Sequence, residues 1–282
     1  MGIFLALVAA LGNALFQVVM KLLGKRTKKI WVNASAYEIT AGLVMLVAVF
    51  FEAPKYDFST PALIPLVLAW IMWGIVSGVN FMAVKKLEIS TNMILSQFAL
   101  VVSFIGAVIL FNDKITPLRI IGAIMIVAST FIVFAKKDSF KNISKSGIVL
   151  RILASTIFAI AGLLDKHNSM NFSIAIYTST SYLVPGLLAA VFSRENPAEY
   201  FIEVKKNFKY ILTLTLFSVI AYISILLSFR YIDTSLAYTI FSLSTLITVA
   251  IGIVFFKERD NLVRKVVALI IVVIAAVILN MS

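Results

Sequence analysis

Lys85-Lys86-Leu87-Glu88-Ile89-Ser90 separates two long apolar runs, and 145 residues later Arg230-Tyr231-Ile232-Asp233-Thr234-Ser235 does the same. Lys85 falls opposite Arg230, Glu88 opposite Asp233 and Ser90 opposite Ser235. The same offset aligns Gly2-Ile3 with Gly147-Ile148 and Lys21 with Lys166. It also aligns Phe111 with Phe256, Asp113-Lys114 with Glu258-Arg259 and Arg119 with Arg264. Apolar identities carry little information in a chain this apolar. The recurring loop charges carry the repeat, and no gap is needed across 80–137 against 225–282.

The apolar runs set the solvent. Of 282 residues, 61% are hydrophobic and 13% charged, and the mean hydropathy is +1.04. A soluble domain is about 45–50% apolar, so an ordinary globular enzyme and a disordered chain are both excluded. A membrane helix needs about 20 mostly apolar residues to cross a hydrocarbon layer about 30 Å thick. Ten stretches qualify, near 3–23, 31–51, 62–84, 90–111, 117–135, 147–165, 172–193, 208–229, 234–256 and 262–281. None shows the alternation of a barrel strand. The segment from Arg194 to Asn207 reads as an amphipathic connection along the interface, with Tyr200 and Phe201. The first span is a retained helix: its start is uncharged, and Lys25-Arg26-Thr27-Lys28-Lys29 follows where a signal peptide would be cleaved.

Five spans per half force the second half to enter the membrane upside down. The predicted fold is therefore an all-α integral membrane protein, with ten transmembrane helices as two inverted five-helix repeats, 1–138 and 139–282. Many secondary transporters share this architecture. The net charge of +12 is topological rather than a nucleic-acid signal. Lys55, Lys114, Arg119, Lys166 and Arg230 fall on the side of the termini, and the other twenty of the 25 Lys and Arg fall opposite. Basic loops stay cytoplasmic, so both termini are expected outside.

The order of these motifs resembles the drug/metabolite transporter superfamily, in its ten-span EamA-type group, over nearly the whole chain. In that family each half opens with a Gly- and Ala-rich helix ending near a lysine, as at Lys21 and Lys166. A tight loop joins the third and fourth helices, as at Ala83 to Ser90. A short acidic-basic turn follows the fourth, as in Phe111-Asn112-Asp113-Lys114 and Phe256-Lys257-Glu258-Arg259. The resemblance implies gradient- or exchange-driven movement of amino acids, sugars, drugs or similar solutes. Many relatives have an arginine where Glu38 stands here, and many have cytoplasmic termini.

Polar residues inside the spans are the candidate site. Glu38 lies about seven residues, roughly 10 Å, into the second helix, where a carboxylate must be protonated, paired or wet. It is either a coupling or cation-binding group, or a structural partner of Lys21 or Lys28. Asn13, Gln17 and Lys21 share one face of the first helix at i, i+4 and i+8. Trp73, Ser77 and Asn80 form a stripe on the third, beside a Gly74–Gly78 packing pair. Asn92, Ser96 and Ser103 form another on the fourth, with Gln97 adjacent. The seventh helix offers Tyr177-Thr178-Ser179-Thr180-Ser181-Tyr182 ahead of Pro185. Tyr222, Tyr238, Ser242 and Thr245 continue the lining. Such walls suit a polar or amphipathic solute, or a cation on aromatic faces. Each polar stripe equally suits helix–helix hydrogen bonding, and each tyrosine an interfacial anchor.

The absence of cysteine removes disulfides, thiolate metal sites and cysteine nucleophiles. No HExxH, GxSxG or Walker A motif is present. No cofactor and no metal is expected, and the lone His167 reads as a loop residue. A secondary transporter in the cell membrane is the leading reading. Its partners would be a small-molecule solute, the lipid bilayer and a proton or other coupling ion, with no nucleic acid. The alternatives are a flippase for a lipid-linked sugar and a non-transporting scaffold. An embedded enzyme lacks converging acids and bases.

Overall fold

The structure is a computed structural model describing residues 1–53, 55, 59–111, 115–134, 144–232, 234–258 and 260–280. Asp113, Lys114, Lys136, Lys137, Asp233, Arg259 and the proposed boundary at 138/139 lie outside the described residues. The described residues are helical, in the order α1 (Gly2–Arg26), α2 (Ile30–Ala48), α3 (Thr60–Lys86), α4 (Ile89–Ser96), α5 (Phe98–Phe111) and α6 (Pro117–Phe134). Then come α7 (Lys145–Asn171), α8 (Ile174–Ser193), α9 (Pro197–Ser228), α10 (Thr234–Val254) and α11 (Leu262–Asn280). Counting α4 and α5 as one interrupted rod gives five rods per half. Eight stretches among the described residues are long and apolar enough to cross a membrane.

The packing carries the two-fold relation that the loop charges suggest. α1 packs on α9, and its counterpart α7 packs on α3. α1 also packs on α10, and α7 on α4 and α5; α2 packs on α9, and α8 on α3. Equivalent helices meet in the pairs α2–α8, α4–α10 and α6–α11. Exchanging the halves therefore maps each of these contacts onto another. With an odd number of spans per half, the exchange axis lies in the membrane plane.

Small residues permit this closeness. A Cβ on Gly186 of α8 would stand 2.9 Å from the backbone nitrogen of Ile39, and one on Gly42 would meet Leu183. Gly74 faces Leu188 and Pro185 of α8, and Gly78 faces the Trp31 ring of α2. The Gly74–Gly78 pair is thus a packing surface. α6 and α11 pack on each other at the rim, and Ile124 and Phe131 of α6 and Val263 and Ile270 of α11 are exposed. Large exposed apolar side chains suit a lipid solvent, where they carry no hydrophobic penalty.

Three helix bounds depart from the sequence reading. The segment after Arg194 is not an interfacial connection. α9 begins at Pro197 and runs unbroken for 32 residues. Asn196 caps it, its side-chain oxygen accepting from Glu199 N at 2.8 Å, and Pro at the first position needs no partner for a missing N–H. The sixth span continues past 165 to Asn171. The fourth is interrupted at Gln97, where Gln97 N turns to Ile94 O at 3.2 Å and the helix resumes with Leu100 N on Gln97 O at 2.9 Å.

Charged groups hold the helix ends. Glu258 accepts from Ile89 N at 2.7 Å, Ser90 N at 2.9 Å and Ser90 Oγ at 2.6 Å, closing the N-terminus of α4. Lys265 Nζ lies 2.6 Å from Glu88. Glu52 accepts from Ala175 N at 2.7 Å at the start of α8. Lys21 is not paired with Glu38. Its ammonium donates to Val84 O at 2.7 Å and to Leu87 O, serving the C-terminus of α3. Between α1 and α2, Lys29 pairs with Glu195 at 2.8 Å and Glu199 at 2.6 Å. Its hydrogen bonds to those two carboxylates hold the ammonium above the usual lysine range.

Candidate functional site

The two halves enclose a cavity of about 630 Å³, walled by α1, α2, α3, α4, α5, α7, α8, α9 and α10. Volumes of roughly 300–1,000 Å³ are usual for small-molecule sites. The wall repeats at the offset of 145. Asn13 and Gln17 stand where Phe158 and Gly162 stand in the other half, and Tyr37 is matched by Tyr182. Trp73 is matched by Ser218, Ser77 by Tyr222, Met93 by Tyr238 and Gln97 by Ser242. The same positions face the same space, but the side chains differ. The cavity is symmetric in backbone and asymmetric in chemistry.

Of the sequence-chosen residues, Asn13, Gln17, Glu38, Trp73, Ser77, Asn80, Ser96, Ser181, Tyr222, Tyr238 and Ser242 line this cavity. Asn13 Nδ2 donates to Ser244 Oγ at 3.0 Å, bridging the halves. Glu38 is 4% exposed. Its Oε1 accepts from Tyr37 Oη at 3.2 Å, and its Oε2 has no partner, nor has Gln17 Oε1. Tyr37 Oη is also 3.2 Å from Ser77 Oγ, which ties α2 to α3. Neither Lys21 nor Lys28 is hydrogen-bonded to Glu38, so the structural-partner reading finds no support in the geometry.

Tyr177 differs. Its ring is fully buried and it does not line the cavity. It stands behind Asp165, to which its hydroxyl donates, and it accepts from Asn168 Nδ2 at 3.5 Å. Thr245 lies outside the wall too, but takes a bond from the Gln97 amide across the α5 break. Asn92 is fully buried in α4, away from the cavity, with neither side-chain polar atom bonded. His167 lies 3.1 Å from the Asn171 amide, on the helix but off the wall.

Two charged residues went unrecognised in the sequence. Ending the sixth span at 165 left Asp165 at a helix end, whereas α7 continues and Asp165 is 3% exposed on the cavity wall. Glu38 is therefore not the one acid at depth. Asp165 Oδ1 accepts from Trp73 Nε1 at 2.9 Å and from Tyr177, and Oδ2 accepts from Tyr222 Oη at 3.0 Å. Arg151, 5% exposed, also reaches the wall. Its guanidinium donates to Asn80 Oδ1 and to Ser155 Oγ at 3.2 Å. Asp165 was visible through the repeat. Continuing the Asn13–Gln17–Lys21 face by 145 gives Phe158, Gly162 and Lys166, all on the wall, with Asp165 beside them.

Around Asp165 the wall is aromatic. Trp73 packs edge-on to Phe158 at 5.3 Å and to Tyr222 at 6.0 Å, and Tyr222 packs edge-on to Tyr182 at 5.5 Å. Such edge-to-face pairs add about 0.5–1.5 kcal/mol each beyond burial. Tyr182 Oη is 2.7 Å from Ser218 Oγ. Among the described residues, no three His, Asp or Glu side chains converge as a metal site would require. The arrangement can hold a solute of drug-like size by several hydrogen bonds, two carboxylates and edge-packed aromatic rings.

Residues 1–135 and 145–281 each match the model of the EamA-like transporter family. No curated protein matches the chain in sequence. One solved crystal structure of a protein aligns over 99% of this chain and 96% of its own, with a TM-score of 0.65 and 12% identity. At that identity the likeness is one of fold.

Proposed function

The chain belongs to the EamA-like transporter family, and we propose that it is a secondary transporter of a small polar or amphipathic solute, working by alternating access. The family consists of membrane transporters for small solutes, so the membrane setting and the broad activity follow from membership. The finer reading is supported by one observation. A large cavity lined by apolar and aromatic side chains with polar and charged groups among them lies between the two repeat halves, and helices of both halves wall it. Halves 1–138 and 139–282 rocking about the α2–α8 contact would expose that cavity to each side in turn. Asn13, Gln17, Glu38, Trp73, Ser77, Asn80, Ser96, Ser181, Tyr222, Tyr238 and Ser242 would contact solute or coupling ion, and Tyr177 would act through Asp165. The protein would lie in the cell membrane with both termini outside.

Purified protein in proteoliposomes, offered a panel of amino acids, amines and sugars with and without an imposed ion gradient, tests this. Flux of at least one solute above that of protein-free liposomes is expected. Flux no higher than in protein-free liposomes for every solute of the panel would instead leave a scaffold.

A further inference from the structure

The transport reading leaves open which chemistry the cavity accepts, and Asp165 speaks to it. The three side chains bonded to Asp165 are donors to it: the indole of Trp73 and the hydroxyls of Tyr177 and Tyr222. An indole N–H can only donate. Asp165 Oδ1 must therefore accept, and the cage is shaped for a carboxylate. A carboxylate accepts about four hydrogen bonds. Oδ1 takes two and Oδ2 one, which leaves room at Oδ2 on a residue of the cavity wall. A buried carboxylate without a cation is costly, and neutral donors offset that only in part.

None of the three bonded partners carries a positive charge. Arg151 sits fourteen residues away on the same helix, roughly 21 Å along its axis at about 1.5 Å per residue, and is held by Asn80 and Ser155. Lys166 also reaches the wall, but it is not among the side chains hydrogen-bonded to Asp165. The second carboxylate on the wall, Glu38, has an unpartnered oxygen at 4% exposure. The rings of Trp73, Tyr222, Phe158 and Tyr182 form a linked aromatic wall beside Asp165, and ring faces attract cations within about 6 Å.

We infer that the cavity selects a cationic solute: a primary ammonium on an aromatic or apolar body, the ammonium on Asp165 and the body against Trp73 and Tyr222. This rests on the transport reading of the same cavity. An ammonium supplies both the missing charge and a donor for Oδ2. A neutral alcohol of the same shape supplies only the donor, and an acid of that shape would set its carboxylate against that of Asp165.

The probes are phenethylamine, 2-phenylethanol and phenylacetate, titrated by calorimetry into the full chain in lipid nanodiscs. Phenethylamine should bind at least tenfold tighter than either of the others. Asp165→Asn, which keeps the size and an acceptor for Trp73, should abolish that preference, and Asp165→Glu should retain it. Melting of each variant reports its folding, and if Asp165→Asn fails to fold, the three-probe ranking on the wild-type chain still decides. Equal binding of amine and alcohol, a preference for phenylacetate, no binding of the amine, or a preference untouched by Asp165→Asn each overturns the inference. The same preparations in proteoliposomes separate the two readings. Asp165-dependent amine binding without any flux leaves the cation site and removes transport. Flux of neutral solutes without amine binding does the reverse.

Discussion

Glu258 gives the most direct test of how the two halves are joined. It lies after α10 in the second half, yet its carboxylate closes the N-terminus of α4 in the first. It is 7% exposed, so water replaces few of its bonds. Glu258→Gln turns one acceptor oxygen into an amide donor. If the amide nitrogen takes the Oε1 position, the bond from Ile89 N is lost; if it takes Oε2, the bond from Ser90 N is lost, while Ser90 Oγ can turn to accept from the amide. Either orientation loses one bond to a charged group, worth about 1.5–3 kcal/mol, and sets a backbone N–H against the amide donor. The favourable charge at the helix N-terminus is also lost, about 0.3–1 kcal/mol. The destabilisation should be about 2–4 kcal/mol. At roughly 2–4 °C per kcal/mol for chains of 150–250 residues, the melting temperature in detergent should fall by about 4–16 °C. Intrinsic fluorescence or aggregation of a fluorescent fusion would follow it. A variant melting with the wild type would show that Glu258 does not hold α4, and the cross-half cap would be refuted.

Glu38→Gln should leave melting nearly unchanged, because it keeps the bond to Tyr37, but should reduce gradient-driven solute flux in proteoliposomes at least tenfold; undiminished flux would remove Glu38 from the transport site. Gly78→Ala should destabilise the α2–α3 contact by about 1–3 kcal/mol, because the new methyl group would overlap the Trp31 ring, and thermal melting checks this. A cytoplasm-dependent reporter fused after residue 282 should be inactive, and a bright one would reverse the orientation without touching the fold.

Why some of this was legible in the sequence, and some not, follows from what each level of structure demands. Span number and the inverted repeat are set by the bilayer, which requires about 20 apolar residues per crossing, and by loop charges that recur at one offset. Neither needs knowledge of packing. Polar residues at depth were legible for a related reason. In hydrocarbon they must face protein or a wet cavity, so the stripes on α1 and α3 pointed inward before any contact was known. Helix ends were less legible, because apolarity marks the hydrocarbon and not the helix. α7 and α9 both continue as helix beyond their apolar windows, α9 through its Asn196 cap. The error at α7 had the largest consequence, since a residue assigned to a helix end is assumed to be solvated. A span ending at 165 places Asp165 in solvent, whereas in the fold it is caged by Trp73, Tyr177 and Tyr222 from three other helices.

Tyr177 shows the converse limit. Its position at depth was readable, but which neighbour its hydroxyl would meet depended on α7 reaching past it. The break at Gln97 was likewise unmarked, with neither glycine nor proline at the site. Its amide reaches Thr245 on α10, a contact made possible only by the pairing of the fourth rods of the two halves. Yet the repeat held usable information about the site. Transferring the inward face of α1 by 145 residues selects Phe158, Gly162 and Lys166 and brings Asp165 to the cavity edge. In an inverted repeat, each wall position identified in one half therefore nominates its partner in the other. The side chain at the partner position, often a different one, is where the two halves acquire separate chemical roles.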